Sequence, residues 1–186
     1  MLKVAVETIK EHLNLTSLKK RGDFSMFESD IEEYTEFLHE NAAKHEKHHV
    51  SRTHLLVDKR DKSILAYMSL VNDNVALTVD EKELAGLPEI PFSTLPAMKI
   101  GKLSVDKAAK EKYSGIGSFM INLATVIAYN IDEEHGSACR FITIDADVEN
   151  NPTVVDFYIK NGFVPNEKVN NKNRITISMR KDIFAE

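Results

Sequence analysis

Gly115 and Gly117 lie in Lys112-Tyr113-Ser114-Gly115-Ile116-Gly117-Ser118, where an alternating apolar stretch gives way to a helical pattern. Glycine lets the backbone approach a ligand closely, and the first N–H groups of a helix have no intrahelical acceptor. The helix dipole favours negative charge at the same place. The residues are therefore suited to hold a phosphate, and equally suited to form a tight turn. The run is not a P-loop, because no Gly-x-x-x-x-Gly-Lys-Ser/Thr pattern is present. It is not a dinucleotide fingerprint either, because the third glycine is missing. His39, His45, His48, His49 and His54 form a second concentration of reactive side chains. His45 and His49 are four residues apart, and the cluster is read as a solvated helix end with no metal bound.

Secondary elements must position these groups, and the chain supplies them in a recognisable order. Ser29-Asp30-Ile31-Glu32 reads as a capping box that opens a helix from about Asp30 to His45. Ile31, Tyr34, Phe37, Leu38 and Ala42 fall on one face of that helix. Two strands, 53–57 and 64–70, flank the polar turn Asp58-Lys59-Arg60-Asp61-Lys62-Ser63 and predict an antiparallel hairpin. From Asp73 to Pro96 the pattern fades into a loop with one helical turn near 80–85. Residues 97–105 alternate as a half-buried strand does, a charged stretch follows Asp106, and a long helix runs to Glu134 with Gly136 past its end. Residues 140–145 are strand-like. Asn151-Pro152 predicts a helix with an Asn cap and proline at its first position. Val154, Val155 and Tyr158 share its inner face, and Asn161-Gly162 closes it. Residues 163–164 and 174–179 complete the strands, with a polar hairpin loop at 166–173. Helix, hairpin, strand, helix, strand, helix and two strands imply an α/β fold with a mixed sheet.

At 186 residues the chain is long enough for a single domain with its own core. Hydrophobic residues make up 42% and charged residues 28%, an ordinary soluble composition. The longest apolar stretch, Ile116 to Ile131, is interrupted by Ser118, Asn122, Thr125 and Asn130, so no membrane span is expected. No signal-peptide layout opens the chain. The sole cysteine, Cys139, reads as a small core residue, and the expected compartment is the cytoplasm. A net charge of −5 gives no general attraction to nucleic acid. Basic patches at Lys19-Lys20-Arg21, Lys44 to His54 and Lys107/Lys110/Lys112 are read as solvated faces.

Three segments in sequence carry a resemblance. Ile100-Gly101-Lys102-Leu103-Ser104-Val105 precedes Lys112-x-x-Gly115-x-Gly117. Downstream comes Asn150-Asn151-Pro152-Thr153-Val154-Val155-Asp156-Phe157-Tyr158-Ile159-Lys160-Asn161-Gly162-Phe163. In order and spacing they resemble the GNAT superfamily of N-acetyltransferases. Within it the chain looks most like the GNAT toxins that acetylate the amino acid on charged tRNA, and their non-toxin relatives. That finer likeness rests on Phe37-Leu38-His39-Glu40-Asn41-Ala42, on 50–58, on 95–106 and on Phe157-Tyr158 with Gly162-Phe163-Val164-Pro165. Phe24-Ser25-Met26-Phe27-Glu28 stands where those toxins usually carry Cys-Gly, and Lys112 replaces the usual Gln or Arg.

The resemblance implies a GNAT fold with a mixed central sheet of about six or seven strands flanked by helices. It also implies acetyl-CoA as acyl-donor cosubstrate. The backbone of Leu103, Ser104 and Val105 would pair with the pantetheine arm. Lys112, Tyr113, Ser114, Gly115, Ile116, Gly117 and Ser118 would cradle the pyrophosphate, and Asn151 would contact the cofactor. Tyr158 would protonate the departing sulfur: a phenol is neutral at pH 7, and its pKa, about 10, is near that of a thiol leaving group. Asp145, Asp147 or a water chain would take the proton from the incoming ammonium. The acceptor would lie against Tyr67-Met68-Ser69 and the 73–96 loop, with Arg52 nearby. The expected acceptor is an amine on a small molecule or peptide. Transfer to aminoacyl-tRNA, which the acidic net charge disfavours, and a non-catalytic acyl-CoA-binding module are the alternatives. A homodimer is compatible with this reading.

Overall fold

Leu55 and Val57 face one way from their strand and Leu56 the other, yet all three are buried, so the sheet they build is covered on both faces. The computed structural model describes residues 3–20, 24–134, 136–168 and 175–185. Its strands are β1 (Val4–Ala5), β2 (Leu13–Ser17), β3 (Arg52–Asp58), β4 (Ile64–Ala76), β5 (Thr94–Val105), β6 (Tyr113–Ser114), β7 (Phe141–Asp147), β8 (Val164–Pro165) and β9 (Thr176–Asp182). Seven of them form a mixed sheet in the order β2-β3-β4-β5-β7-β9-β8, and β1 and β6 pair separately. The helices are α1 (Glu32–Glu36), α2 (Ala42–Lys47), α3 (Val79–Leu84), α4 (Lys107–Lys112), α5 (Ile116–Glu134) and α6 (Val154–Lys160). The chain divides into two compact units, 1–71 with 100–123, and 72–99 with 124–186.

In the first unit, α1 and α2 are joined through a wider helical turn at Phe37–Asn41, where the Ala42 N–H reaches the Phe37 carbonyl. Phe37, Leu38 and Ala42 pack with Leu55, Val57, Ile64 and Tyr67. The expected capping box at Ser29 and Glu32 is not formed. The helix starts at Glu32 behind Ile31, which supplies no side-chain cap. Ser29 is instead buried, accepting the Ser104 hydroxyl at 2.9 Å and the Ile31 N–H at 3.2 Å. An inward hydrogen bond won over the terminal one. The first twenty residues also hold structure that the sequence pattern did not announce. A 3-10 helix, Val6–His12, joins β1 to β2, and β2 extends the sheet by antiparallel pairing with β3, Leu13 opposite Asp58.

In the second unit, Val75, Leu77, Leu95, Ala97 and Phe141 make the apolar centre. Cys139 is buried as expected, and burial pushes its thiol pKa up. Strand β7 pairs antiparallel with β9 along its whole length, from Phe141 opposite Asp182 to Asp147 opposite Thr176. Helix α6 begins later than expected. Thr153 sits at its cap position, and Asn151 forms a turn just before it, its side-chain oxygen accepting the Thr153 N–H at 3.2 Å and hydroxyl at 3.0 Å. Most of the expected 166–173 hairpin loop lies outside the described residues. Gly136 follows α5 with φ +67°, the left-handed conformation expected after a helix end.

A true capping box occurs at Thr78 and Glu81, and it does more than start α3. Glu81 Oε2 accepts the Thr78 N–H at 2.7 Å, while Oε1 accepts the Glu167 N–H at 3.1 Å and Arg180 Nη1 at 2.6 Å. Arg180 also donates to the Pro165 carbonyl and to Asn166 Oδ1, both at 3.1 Å. Glu81 is 2% exposed and Arg180 8%, so the pair is a buried charge cluster whose hydrogen bonds are filled by neighbours. Burial pushes the Glu81 carboxyl pKa up, but the Thr78 and Glu167 N–H groups and Arg180 outweigh it and hold it below its ordinary value. A carboxyl lowered in the folded state stabilises the fold above its unfolded pKa, and that contribution is lost as pH falls through the folded value. Glu81→Ala should destabilise the protein by about 3–5 kcal/mol at neutral pH, since it leaves Arg180 buried without its partner. Urea unfolding at pH 7 and at pH 3 should show the gap between variant and wild type narrowing in acid.

Candidate functional site

The first unit contains ten of the residues expected to hold the cofactor: Leu103, Ser104, Val105 and 112–118. Strand β5 ends at Val105, and the Asp106 N–H donates to the Leu65 carbonyl at 2.9 Å. Asp106 then caps α4, its Oδ1 accepting the Ala109 N–H at 3.0 Å, and its Oδ2 accepts the Glu28 N–H at 3.1 Å. Leu103 and Val105 are half-buried and Ser104 is buried. The short α4 delivers Lys112 to the loop. Tyr113 and Ser114 follow as β6, and Gly115 turns the chain at φ +83° into α5. The Phe119 N–H bonds to the Gly115 carbonyl at 2.9 Å, so α5 starts its ladder at the glycine. The amides that helix geometry leaves without an intrahelical acceptor are then those of Ile116, Gly117 and Ser118. Tyr113 and Ser114 precede that turn in a strand paired in register with Val4 and Ala5.

The second unit contains the eleventh, Asn151, together with Tyr158, the expected proton donor. Tyr158 sits in the middle of α6, 6% exposed, its ring against Phe157 (5.1 Å between centroids) and Phe163 (5.4 Å), edge to face in both cases. Of the two candidate bases, Asp145 is exposed and ion-paired to Lys99 at 2.5 Å. Asp147 accepts the Asn150 N–H at 3.1 Å and its side-chain amide at 2.9 Å, which shapes the loop into α6. Neither carboxylate is free of a partner.

Groups expected around the acceptor are differently disposed. Tyr67, Met68 and Ser69 are buried in the first unit, and the Tyr67 hydroxyl donates to the Tyr34 carbonyl at 2.7 Å. Arg52 is half-exposed and lies 3.7 Å from the buried Glu46. His45-Glu46-Lys47-His48-His49 also spells the His-Glu-x-x-His order of zinc helices, a pattern the sequence reading passed over. Here α2 ends at Lys47 and His49 lies beyond it at φ +57°, so the two histidines do not share a helix face. His45 packs edge-on against Phe37, and Glu46 accepts the Thr53 N–H at 3.1 Å. No group of three potential metal ligands occurs among the described residues. Two residues beside the loop had escaped the sequence reading, Asp58 and Arg60. Their only signal was an Asp-x-Arg spacing in a turn.

No family model matches the chain, and comparison with curated proteins gives no match. Solved structures do match over nearly the whole length. The AtaT complex with acetyl-methionyl-tRNAfMet superposes with a TM-score of 0.70 at 18% identity, covering 89% of this chain and 93% of AtaT. A tyrosine-to-phenylalanine mutant of KacT gives 0.71 at 17%, covering 90% and 94%. An AtaT mutant bound to acetyl-CoA and the C-terminus of the antitoxin AtaR gives 0.66 at 16%, covering 90% and 92%. The fold is the GNAT fold of these toxins. The expected architecture is thereby met, with seven strands in the sheet. Among the described residues, no helix is long and apolar enough to cross a membrane.

Gly115→Ala tests the turn that opens this GNAT helix. A Cβ there would meet Val6 Cγ1 at 3.5 Å, an ordinary contact, so the cost comes from the left-handed backbone alone. We expect a loss of roughly 1–2 kcal/mol in chemical denaturation, with the fold kept.

Proposed function

We propose that the protein is an acetyl-CoA-dependent N-acetyltransferase whose acceptor is the amino group of an aminoacyl-tRNA. The observation that carries this reading is the match over about nine-tenths of both chains to AtaT in complex with acetyl-methionyl-tRNAfMet. An AtaT structure with acetyl-CoA supports the donor. The glycine turn into α5, with its amides at 116–118, suits the pyrophosphate of that coenzyme. Leu103, Ser104 and Val105 offer backbone to the pantetheine arm, and Asn151 contributes at the cofactor. The acceptor nitrogen, once deprotonated, attacks the thioester carbonyl. The carbon–sulfur bond breaks as the tetrahedral intermediate collapses, and Tyr158 gives its proton to the sulfur; the proton that the nitrogen sheds as the amide forms restores the phenol through solvent, so that the products are an amide and free CoA.

The overall charge of −5 pointed toward a small amine, but phosphate contacts depend on local cations. Lys44, Lys47 and Arg52 are exposed around the end of α2, beside His48 and His49. That surface is a suitable counterpart for an RNA backbone. Under this reading, thiol release from acetyl-CoA should depend on charged tRNA and fall steeply with added salt. Free amino acids, polyamines and peptides should be poor acceptors. Tyr158→Phe should lower turnover on the order of 10²–10⁴-fold while CoA still binds. Equal turnover by wild type and variant removes the proton-donor role, and efficient acetylation of a small amine without tRNA would overturn the choice of acceptor.

A further inference from the structure

The phosphate loop is held from two sides by parts of the first unit that the proposed chemistry does not use. On the backbone side, β1 runs parallel to β6, with Val4 opposite Tyr113 and Ala5 opposite Ser114. Val6, next in the chain, is 2% exposed and touches the space in front of Gly115. On the side-chain side stands Arg60, in the turn between β3 and β4. Its Nε and Nη2 bind the buried Asp58 carboxylate at 2.9 and 2.5 Å, and Nη2 also donates to the Tyr113 hydroxyl at 3.1 Å. Asp58 is 1% exposed, and the guanidinium holds its carboxyl pKa below the ordinary range, so the salt bridge persists at neutral pH. Both fastenings share one root: Leu13 pairs with Asp58, and the Lys59 N–H donates to the His12 carbonyl at 2.8 Å.

We propose that Arg60 is a positioning residue for the coenzyme loop, acting through the Tyr113 hydroxyl, with β1 as its counterpart on the backbone. The inference rests on the reading of 112–118 as the pyrophosphate loop. Lys112 has one point charge where the superfamily resemblance leads one to expect a Gln or Arg with planar donors, so the residue at that position does little to fix the loop's own shape. Arg60, held in place by Asp58, ties the loop from outside through the Tyr113 hydroxyl. It orders Tyr113 before the ligand arrives, and a loop ordered beforehand binds without the entropy cost of ordering it then. Arg60 is not assigned a contact with the coenzyme.

The experiment measures CoA binding by calorimetry on the full chain, with wild type, Tyr113→Phe, Arg60→Lys and the double variant. Tyr113→Phe removes only the phenol oxygen and leaves the Asp58–Arg60 pair whole, so the fold is preserved for the comparison. Arg60→Lys keeps a charge for Asp58 but cannot serve two acceptors with one planar group. Each single variant should weaken CoA about five- to tenfold, and the double variant should be no weaker than either, because both cut the same link. For Arg60→Lys, KM for acetyl-CoA should rise while kcat at saturating coenzyme holds. Unchanged CoA affinity in Tyr113→Phe, or additive losses in the double variant, overturns the proposal while leaving the acetyltransferase reading intact. A wild-type protein that does not bind CoA overturns both.

Discussion

The corner out of β5 rests on Asp106. Its backbone N–H closes the strand against Leu65, one carboxylate oxygen starts α4, and the other takes the N–H of Glu28. Three chain segments that are far apart in sequence are tied at one residue. A six-residue helix is too short to hold itself together in water, so α4 exists because it is capped at one end and built into the unit. Its length and direction in turn decide where Lys112 to Gly117 emerge. A side chain at 106 without acceptor oxygens would lose both the cap of α4 and the tie to Glu28.

The two units solve the same physical problem in the same way. Each has a separate apolar cluster, and each also buries a carboxylate that is met by an arginine and by backbone amides: Asp58 with Arg60 in one, Glu81 with Arg180 in the other. Such pairs add little net stability over an apolar replacement, but a buried carboxylate with specific partners accepts only one arrangement of its neighbours. In the first unit that arrangement registers the β3–β4 turn against β6. In the second it registers α3 against the strands β8 and β9. The Thr143 hydroxyl, donating to Asp73, adds a further polar tie within the second unit.

The elements with long regular patterns were legible in the sequence. Residues 97–105, the Ile116–Glu134 helix and the 53–70 hairpin appear close to where alternation and helical spacing put them. What escaped were features whose cause is tertiary. Ser29 looked like a cap, and its hydroxyl went to Ser104 instead. Asn151 looked like the first cap of α6, and Thr153 takes that position because Asn151 folds a turn ahead of it. Two-residue strands such as β1 and β6 carry no periodic signal at all, since only their pairing with each other defines them. For the site, the glycine turn could be read from residue types. The anchors Asp58, Arg60 and Asp106 could not, because a charged residue in a turn looks the same whether it faces water or a buried partner.

Cys139 is the only cysteine in the chain, and it lies within the second unit, buried, its thiol further disarmed by its surroundings. A thiol-reactive reagent therefore meets no target on the closed molecule and one target when that unit opens. Nature has in effect left a single timing mark inside the protein, so the rate at which a maleimide attaches reports how often that half comes apart, with no engineered label.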